Sequence, residues 1–392
     1  MVKQKIIALV DCDSFFVSCE QKRNPDLKNK PVCVMSNQNG CVISRSKEAK
    51  AIGVRMGEPY FMQEKEHPQA ICPVADHTYY AQVSHQVMSI LKDFSPYVQI
   101  YSIDEAFVDL TGLKRYYKKN YIEIAQMLRQ KILDEVDIPV SIGISTSKTL
   151  AKLASDKAKN TSDHIYSINM CDILTELKRT KIEEIWGIGR RLTTRFKQNG
   201  IINAYELVSK SDMWLDKLAG INAVEMKHEL LGEMVSPITN EEKTPKSIQN
   251  TQAFKHFSSD FNYIKNELNR HIHTSCSRLR SYNTKCAQIG VMLRTKDFRV
   301  FYTKQELIEP TNFELEISKI AIKLLDNIYD PKIIYRATGI VLEKIGEENI
   351  EQLSLYTHNE ICNKKENLAK CIDKLEHKFK KNIVKIGFTN AD

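Results

Sequence analysis

Three carboxylates in the first third of the chain have types and spacing that could do chemistry. Asp11 ends a β-rich apolar run, and Asp104 and Glu105 stand at the turn of a predicted hairpin. If these strands are neighbours in one sheet, the carboxylates meet at one edge, where like charges are costly unless a cation neutralises them or one keeps a proton. Mg²⁺ is held by carboxylate oxygens and substrate phosphates, and two such ions about 3.5–4 Å apart can catalyse phosphoryl transfer. The other interpretation is three solvated turn residues, since loops are commonly polar.

The elements that must position these carboxylates follow from apolar periodicity. The pattern indicates strands over 6–13, 98–103, 106–110 and 140–145, and a helix over 120–136 whose apolar stripe begins at Ile122. A further helix begins after Thr146-Ser147, both of which suit an N-cap. This order of strand, hairpin, helix, strand and helix is typical of a sheet that contains antiparallel strands, with helices packed on one face.

Glycines, prolines and acidic residues mark the remaining boundaries. A small lobe, 28–73, interrupts the sheet, 167–233 is helical in pattern, and 234–245 suits an exposed linker. Residues 246–345 predict a β-α-β-β-α-β order, and 346–392 follow as a tail. We therefore expect an α+β, multidomain protein.

Composition excludes several classes of protein. With 42% hydrophobic and 27% charged residues, the 392-residue chain is neither disordered nor fibrous. No apolar run approaches the roughly 20 residues of a membrane span, and the N-terminal run is too short for a signal-peptide core. Ten cysteines occur without a Cys-x-x-Cys pair, which argues against zinc ribbons. We expect reduced thiols in a cytoplasmic protein with no membrane partner.

The basic excess is concentrated in one segment. The chain carries +8 overall, and residues 243–344 carry +7 between the acidic stretches 234–242 and 345–356. A basic module suits a polyanion, because each phosphate neutralised by Lys or Arg releases counterions. An ordinary solvated surface explains the same charge, so charge alone does not decide between the two.

Three ordered motifs resemble those of one enzyme family. They are DCDSFF (11–16), YSIDEAF (101–107), and GIS (143–145) ahead of KTLAK (148–152). Together they closely resemble the palm of the Y-family, or translesion, DNA polymerases. The stretch SNQNGCVISR (36–45) is similar to the UmuC branch, although Asp13 stands where that branch more often has Asn and makes the first motif similar to the DinB branch.

The resemblance implies a right-hand polymerase fold. Its parts would be a ferredoxin-like palm (1–27 and 74–166), small fingers (28–73), a helical helix-hairpin-helix thumb (167–233) and a little finger (246–345). Asp11, Asp104 and Glu105 would hold two Mg²⁺ ions with help from the carbonyl of Cys12. Phe16 matches the steric gate, a ring against which a 2′-hydroxyl cannot fit. From residue type alone, Phe16 is equally a core aromatic.

Cations at two matching positions are expected to bind the nucleotide triphosphate. Lys50 matches the position on the fingers, where many relatives have Arg, and Lys159 matches the position on the palm. Lys47 stands where relatives of the DinB branch have Tyr. Lys152 and Lys159 lie seven residues apart and share a helix face, although a helix lysine is often merely solvated. The Gly-rich P-loop pattern is absent from the sequence.

Two regions are candidates for binding primer-template DNA without reading bases. The stretch IWGIGRR (185–191) resembles a helix-hairpin-helix, whose glycines let backbone N–H groups and a helix N-terminus approach a phosphate. The candidate residues there are Gly187, Gly189 and Arg190. In the little finger they are Arg278, Arg280, Arg294, Lys296 and Arg299.

The tail contains a peptide similar to the one by which bacterial polymerases dock on the β sliding clamp. Its residues are Gln352, Leu353, Leu355 and Tyr356, within QLSLY (352–356), and an ordinary edge strand or turn is the alternative. Beyond it, Leu368, Ile372, Leu375 and Phe379 predict an apolar stripe on a basic helix. Proteins of the UmuC branch imply processed UmuD and RecA as further partners.

The function implied is template-directed, error-prone DNA synthesis from dNTPs past lesions, in DNA damage tolerance. Two rivals remain open at this point. A nucleotidyl cyclase also uses a carboxylate pair on a hairpin, and a DNA-bound repair scaffold could carry a silent palm. The cyclase does not need the glycine turn, the basic module or the tail peptide, and intact acidic residues argue against the scaffold.

Overall fold

In the computed structural model of the chain, residues 5–37, 40–240, 244–347 and 359–379 are described. Two compact units divide the chain, residues 1–241 and 242–392. Within the described ranges, no helix is both long enough and apolar enough to cross a membrane.

The first unit is built around a five-stranded sheet. The strand order is β4-β5-β1-β6-β7, with β1 antiparallel to both β5 and β6. A separate two-stranded sheet pairs β2 with β3. The strands are β1 (Ile7–Cys12), β2 (Cys33–Met35), β3 (Val42–Arg45), β4 (Val98–Ile100), β5 (Glu105–Asp109), β6 (Val140–Ser145) and β7 (Ile165–Ser167).

Helices connect and cover these strands. The predicted strand 140–145 is confirmed without change as β6, and the following helix is capped by Ser147, whose side chain accepts from Leu150 N. The helices are α1 (Phe15–Arg23), α2 (Lys47–Ala51), α3 (Tyr60–Glu66), α4 (His77–Phe94), α5 (Leu113–Tyr117), α6 (Tyr121–Val136), α7 (Lys148–Ala158), α8 (Ile173–Arg179), α9 (Arg190–Gln198), α10 (Ala204–Val208), α11 (Asp212–Ala219) and α12 (Ile221–Leu230).

Helices cover the five-stranded sheet on both faces, so the expectation of helices on one face is wrong. Even-numbered residues of β1 join a core with α4 and α6, and odd-numbered ones join a second cluster with Ala151 of α7. At Gly143 a Cβ would collide with the backbone of Ala151 and Ser155, because α7 lies directly on β6. In α6, Ile124 is buried where the sequence predicted Ile122, which is exposed.

Two smaller clusters complete the first unit. Around the β2–β3 sheet, Cys33, Met35, Val42, Ala49 and Val54 form a core of their own. Helices α8 to α12 enclose another core, which the outer face of α7 shares through Leu150, Leu153 and Ala154. Helix α7 therefore joins the sheet to the helical segment that follows it.

The start of the predicted linker is held by the first unit. The carboxylate of Glu229 accepts from the backbone N–H groups of Val235 and Ser236, at 3.0 and 3.1 Å. Further on, Asn240 accepts from Val98 N and donates to the carbonyl of Pro96. This stretch is bound along the edge strand β4 as far as residue 240.

The second unit is a four-stranded antiparallel sheet of order β10-β9-β11-β8. Its core lies on one face, where both helices pack, and the predicted β-α-β-β-α-β order is confirmed. The elements are β8 (Ser247–Ser258), α13 (Phe261–Ser281), β9 (Thr284–Thr295), β10 (Val300–Thr311), α14 (Glu314–Ile328) and β11 (Tyr335–Glu347).

A last helix, α15 (Asn359–Phe379), docks on this helical layer. Ala369 and Ile372 are buried, and Asp373 accepts two hydrogen bonds from the guanidinium of Arg280. His273 of α13 lies between Glu314 of α14 and Glu376. The predicted apolar stripe is therefore only partly right: Ile372 packs inward, while the other three members are exposed, namely Leu368, Leu375 and Phe379.

Candidate active site

The sheet register brings the three predicted carboxylates to one edge. Asp11 of β1 is the direct partner of Glu105 of β5, and Cys12 N donates to the carbonyl of Asp104 at 2.9 Å. Asp11 is an odd-numbered residue of β1, so it faces the side of the sheet that α7 covers. Asp104 lies in the turn, where its Oδ1 accepts from Ser102 Oγ. The structure therefore places the three acidic groups together at the mouth of a cleft.

Two lysines at α7 and its C-terminal end supply countercharge to this group. Lys152 Nζ lies 3.0 Å from Oδ2 of Asp11 and also donates to Glu105, and Lys159 Nζ donates to the same Asp11 oxygen at 2.8 Å. Burial would raise the pKa of Asp11, but its hydrogen bond with Glu105 and the charges of both lysines lower it. Burial and the hydrogen bond with Asp11 raise the pKa of Glu105 to about 7. Asp11 thus favours the neutral form of Glu105, while the Lys152 ammonium favours the charged form.

Asp13, the residue that resembles the DinB branch, has a different environment. Its carboxylate accepts from Ser141 Oγ at 2.8 Å and lies 3.2 Å from His164 Nδ1. Burial raises the pKa of Asp13 against these contacts. Asp13 therefore ties the end of β1 to β6 and to the loop before β7.

The donor set suits a hard divalent cation. Three carboxylates supply oxygen ligands, and the thiol of Cys12 is buried in the core with α4 and α6, so only its main chain is available to the cleft. The ammonium of Lys152 already lies between Asp11 and Glu105, where a cation would bind. These residues therefore fit the divalent metal that the sequence predicted.

The cleft beside the carboxylates has a volume of about 370 Å³. Phe16 lines it and stacks on Tyr80, with ring centroids 4.7 Å apart. Tyr80 is fully buried, and its hydroxyl donates to Glu20 at 2.7 Å. The ring of Phe16 is thus held from behind by a fixed aromatic neighbour while its other side faces the cleft.

Basic side chains also line the cleft and form what we call its basic wall. Lys50 and Lys159 are there as predicted, and so is Arg45, whose guanidinium donates to the carbonyl of Val54. Burial, followed by the charges of Arg45 and Lys159, lowers the pKa of Lys50. The neighbouring cations thus disfavour the charge on Lys50, and a polyanionic ligand beside it would relieve that repulsion.

Sequence reasoning gave no site role to Arg45 or Lys152. Arg45 is the last residue of β3 and of the stretch SNQNGCVISR (36–45). For Lys152 the sequence predicts only a basic helix face shared with Lys159. The signal for Lys152 was its seven-residue spacing from Lys159, which puts both on the helix face toward Asp11.

The predicted glycine turn lies before α9. Gly187 has a φ of +91°, which favours glycine, and Gly189 is the N-cap of α9 without a side-chain hydrogen bond. Trp186, one residue earlier, meets the ring of Tyr101 edge-on with centroids 5.3 Å apart. Tyr101 precedes Asp104 by three residues, so an aromatic contact connects the turn to the carboxylate hairpin.

Family comparison identifies this arrangement. Residues 10–156 match the impB/mucB/samB family, and residues 245–355 match the C-terminal domain of the impB/mucB/samB family. The chain belongs to this family. The protein UmuC of Salmonella typhimurium is 30% identical over 90% of this chain and 86% of the relative. DNA polymerase IV of Clostridium kluyveri is 30% identical over 98% of each chain.

Solved structures of the Y-family have the same fold. The Y-family DNA polymerase chimera Dbh-Dpo4(243-245)-Dbh aligns with a TM-score of 0.72 and 25% identity, over 87% of this chain and 99% of that chain. DinB from Sulfolobus solfataricus aligns with a TM-score of 0.57 and 26% identity, over 86% and 98%. The predicted α+β right-hand polymerase fold is confirmed. The protein is a UmuC/DinB-like, DNA-directed DNA polymerase that carries out translesion synthesis. It depends on a divalent metal and binds DNA and nucleotides.

The remaining predicted residues of the polymerase are in varied places. Lys296 and Arg299 are exposed in the β9–β10 turn, and Arg278 is exposed on α13. Arg294 is opposite the helices, since it alternates with the core residue Leu293. Arg280 differs, because Asp373 and the carbonyl of Asn312 already accept its hydrogen bonds. The clamp peptide, 352–356, lies outside the described residues.

Proposed function

We propose that this polymerase is template-directed and error-prone, and that Asp11, Asp104 and Glu105, with the carbonyl of Cys12, hold two Mg²⁺ ions. The observation that supports it is the convergence of three carboxylates on a cleft that basic side chains also line. When bound, the ions supply activation of the primer 3′-hydroxyl and neutralisation of charge on the transferred phosphoryl group. The hydroxyl attacks the α-phosphorus of the dNTP, and pyrophosphate leaves.

Lys50 and Lys159 are proposed to bind the triphosphate, with Arg45 as a third cation. Lys159 reaches both Asp11 and the cleft, so it lies between the carboxylates and the site proposed for the phosphates. Charge-assisted contacts from several directions fix the orientation of the triphosphate.

Phe16 is proposed as the steric gate. Its ring lines the cleft and cannot retreat, because Tyr80 stacks behind it. A 2′-hydroxyl placed against that ring would clash or lose its hydrogen-bond partners. Selection of deoxyribonucleotides therefore follows from the stiffness of this aromatic pair.

The modules of the hand are proposed as the sequence divides them: palm 1–27 and 74–166, fingers 28–73, thumb 167–233, linker 234–245 and little finger 246–345. Gly187, Gly189 and Arg190 would bind a backbone phosphate at the start of α9. The little finger would add the exposed cations Arg278, Lys296 and Arg299 and the half-buried Arg294 to the DNA backbone. Fingers of only 46 residues by sequence number (28–73) leave little mass to close on the nascent pair, which suits lesion bypass.

The partners proposed beyond DNA and dNTPs rest on resemblance. Residues 352–356 would dock on the β sliding clamp, and the UmuC branch implies processed UmuD and RecA in a cytoplasmic SOS response. Truncation before Gln352 should abolish clamp-stimulated synthesis and spare distributive synthesis. Equal stimulation of both forms would refute the docking role.

Primer extension on damaged and undamaged templates tests the function, with Asp104→Ala as the control. We expect extension past the lesion by the wild type and loss of extension with retained DNA binding in the variant. A cyclic nucleotide product would instead indicate a cyclase, and binding without extension by the wild type would indicate a scaffold. Neither rival is favoured by the comparisons, which all point to DNA polymerases.

A further inference from the structure

The ammonium of Lys152 lies between the carboxylates of Asp11 on β1 and Glu105 on β5. Its Nζ is 3.0 Å from Asp11 Oδ2 and donates to Glu105 Oε1, and only 16% of its side chain is exposed. We propose that Lys152 is a built-in counter-ion that occupies the cation position of the metal-free enzyme and must withdraw when a divalent ion binds. The inference rests on the proposed metal-binding role of these carboxylates.

The two lysines near Asp11 are not equivalent. Lys159 contacts Asp11 from the cleft wall and leaves Glu105 untouched, and 38% of its side chain is exposed. Lys152 bridges Asp11 and Glu105, so it takes up the oxygens that a metal would share. An ammonium and a divalent cation cannot share these oxygens at close range without strong repulsion.

A second position for the ammonium exists on the same helix. Asp156, one turn after Lys152, has Oδ1 at 3.7 Å from Lys152 Nζ, and its side chain is 47% exposed at the rim of the group. The flexible stem of lysine allows the ammonium to move from the strand carboxylates to Asp156 with little backbone change. Without metal the Lys152 ammonium compensates Asp11 and Glu105. With metal it joins Lys159, whose ammonium lies 3.5 Å from Oδ1 of Asp156, at that carboxylate.

Mn²⁺ binding to the full chain, without DNA or nucleotide, tests the exchange independently of activity. Free Mn²⁺ is followed by electron paramagnetic resonance at pH 8. We expect Lys152→Met to bind Mn²⁺ about tenfold more tightly than the wild type, within the usual range of coupling between two sites. Lys152→Arg keeps the charge and should not tighten binding. Lys131→Met removes an exposed lysine from α6 and serves as the matched control for net charge.

The role of Asp156 is tested by a double-mutant cycle. Asp156→Asn should weaken Mn²⁺ binding in the wild-type background. Its effect should be smaller in Lys152→Met, where only the contact of Asp156 with Lys159 remains. Equal weakening in both backgrounds would overturn the withdrawal to Asp156. If Lys152→Met is poorly folded, Lys152→Gln, which is also uncharged, replaces it as the second background, where the effect of Asp156→Asn should again be smaller.

The failures are distinguishable. If Asp11→Asn removes no Mn²⁺ site from the wild type, both the proposed metal-binding role and the exchange are wrong. If the site exists but Lys152→Met binds Mn²⁺ no more tightly, the exchange alone is wrong and the proposed function stands.

Discussion

The cleft of the first unit and the β9–β10 end of the second unit both gather basic side chains, but in opposite ways. In the cleft, Lys152 and Lys159 converge on one buried carboxylate oxygen and form hydrogen bonds. At the β9–β10 end, Arg299 has 67% of its side chain exposed and only a long contact to Asp297, at 3.6 Å. A buried, paired charge has a fixed position and fixed partners. An exposed charge only adds to the total charge of its surface, and salt screens its interactions.

This difference indicates a division of labour. A site that positions a reacting phosphorus needs fixed geometry, so each side chain of the cleft should matter singly. A surface that follows any DNA sequence needs only positive charge, so its side chains should matter by number. Four measurements test this difference between the two regions.

The largest effect is expected from Phe16→Ala. Removing the ring that Tyr80 supports opens space for a 2′-hydroxyl, and discrimination against ribonucleotides should fall by roughly 100-fold. The measurement is kcat/KM for a dNTP and its ribonucleotide on one primer-template. Phe61→Ala, which truncates an exposed phenylalanine on α3, is the control and should leave sugar selection as it was. Unchanged selection in Phe16→Ala would remove the gate assignment.

The next effect is expected at the basic wall of the cleft. Lys159→Ala should raise KM for dNTP about tenfold, since a charge-assisted hydrogen bond contributes about 1.5–3 kcal/mol. The KM of the wild type should also rise as pH increases and Lys50 loses its proton. Because the pKa of Lys50 is lowered, this rise should begin at a lower pH than it would for an ordinary lysine. Lys50→Arg, which stays charged, should flatten that rise. A KM profile identical in both proteins would show that Lys50 does not bind the triphosphate.

A smaller effect is expected from the second unit. Lys296→Ala with Arg299→Ala should weaken DNA binding by about tenfold and reduce the slope of log K against log salt by roughly 2, one phosphate for each cation lost. Each single change should cost only about threefold at physiological salt. Lys319→Ala with Lys323→Ala removes equal charge from α14 and is the matched control. An equal loss in both double variants would mean that net charge, not this surface, sets the affinity.

The smallest effect concerns His273 of the second unit, which is buried between Glu314 and Glu376. Hydrogen bonds to Glu314, opposed by burial, and the charges of Glu314 and Glu376 raise the pKa of His273. Its contribution to α15 docking is therefore fully present below the unfolded pKa of about 6.5 and is lost as pH rises through the raised folded value, by roughly 1.5 kcal/mol. Hydrogen exchange of the α15 amides between pH 6 and 9 measures it, after correction for intrinsic rates. His273→Gln should remove the pH dependence, and His256→Gln, at an exposed position, should not.

Local patterns in the sequence were enough to predict much of the fold. The strand over 140–145 was predicted to the residue, and Ser147, the observed cap, is one of the two caps predicted, because a short apolar run and a polar cap are local signals. The second helical face was missed because a strand buried on both sides has no alternation to report its orientation. Gly143 within that strand was the available signal, since an interior glycine often marks close backbone approach.

The candidate site divides in the same way. The convergence of Asp11, Asp104 and Glu105 could be predicted because strand ends in one sheet meet at an edge. The insertion of Lys152 between two of them could not, since it depends on how closely α7 lies to the sheet. For Arg280 the residue type predicted a contact with DNA. In the structure its guanidinium is hydrogen-bonded to Asp373, which is 93 positions away in sequence and could not be predicted as its partner.

Because Gly143 has no side chain, α7 lies close enough to β6 to hold Lys152 and Lys159 beside Asp11. Helix α7 rests backbone to backbone on β6 there, with no compressible group between them. A methyl group at this position would act as a wedge and tilt the helix away, carrying both ammonium groups off the aspartate in one movement. The position of both lysines thus depends on a residue of β6 that has no side chain.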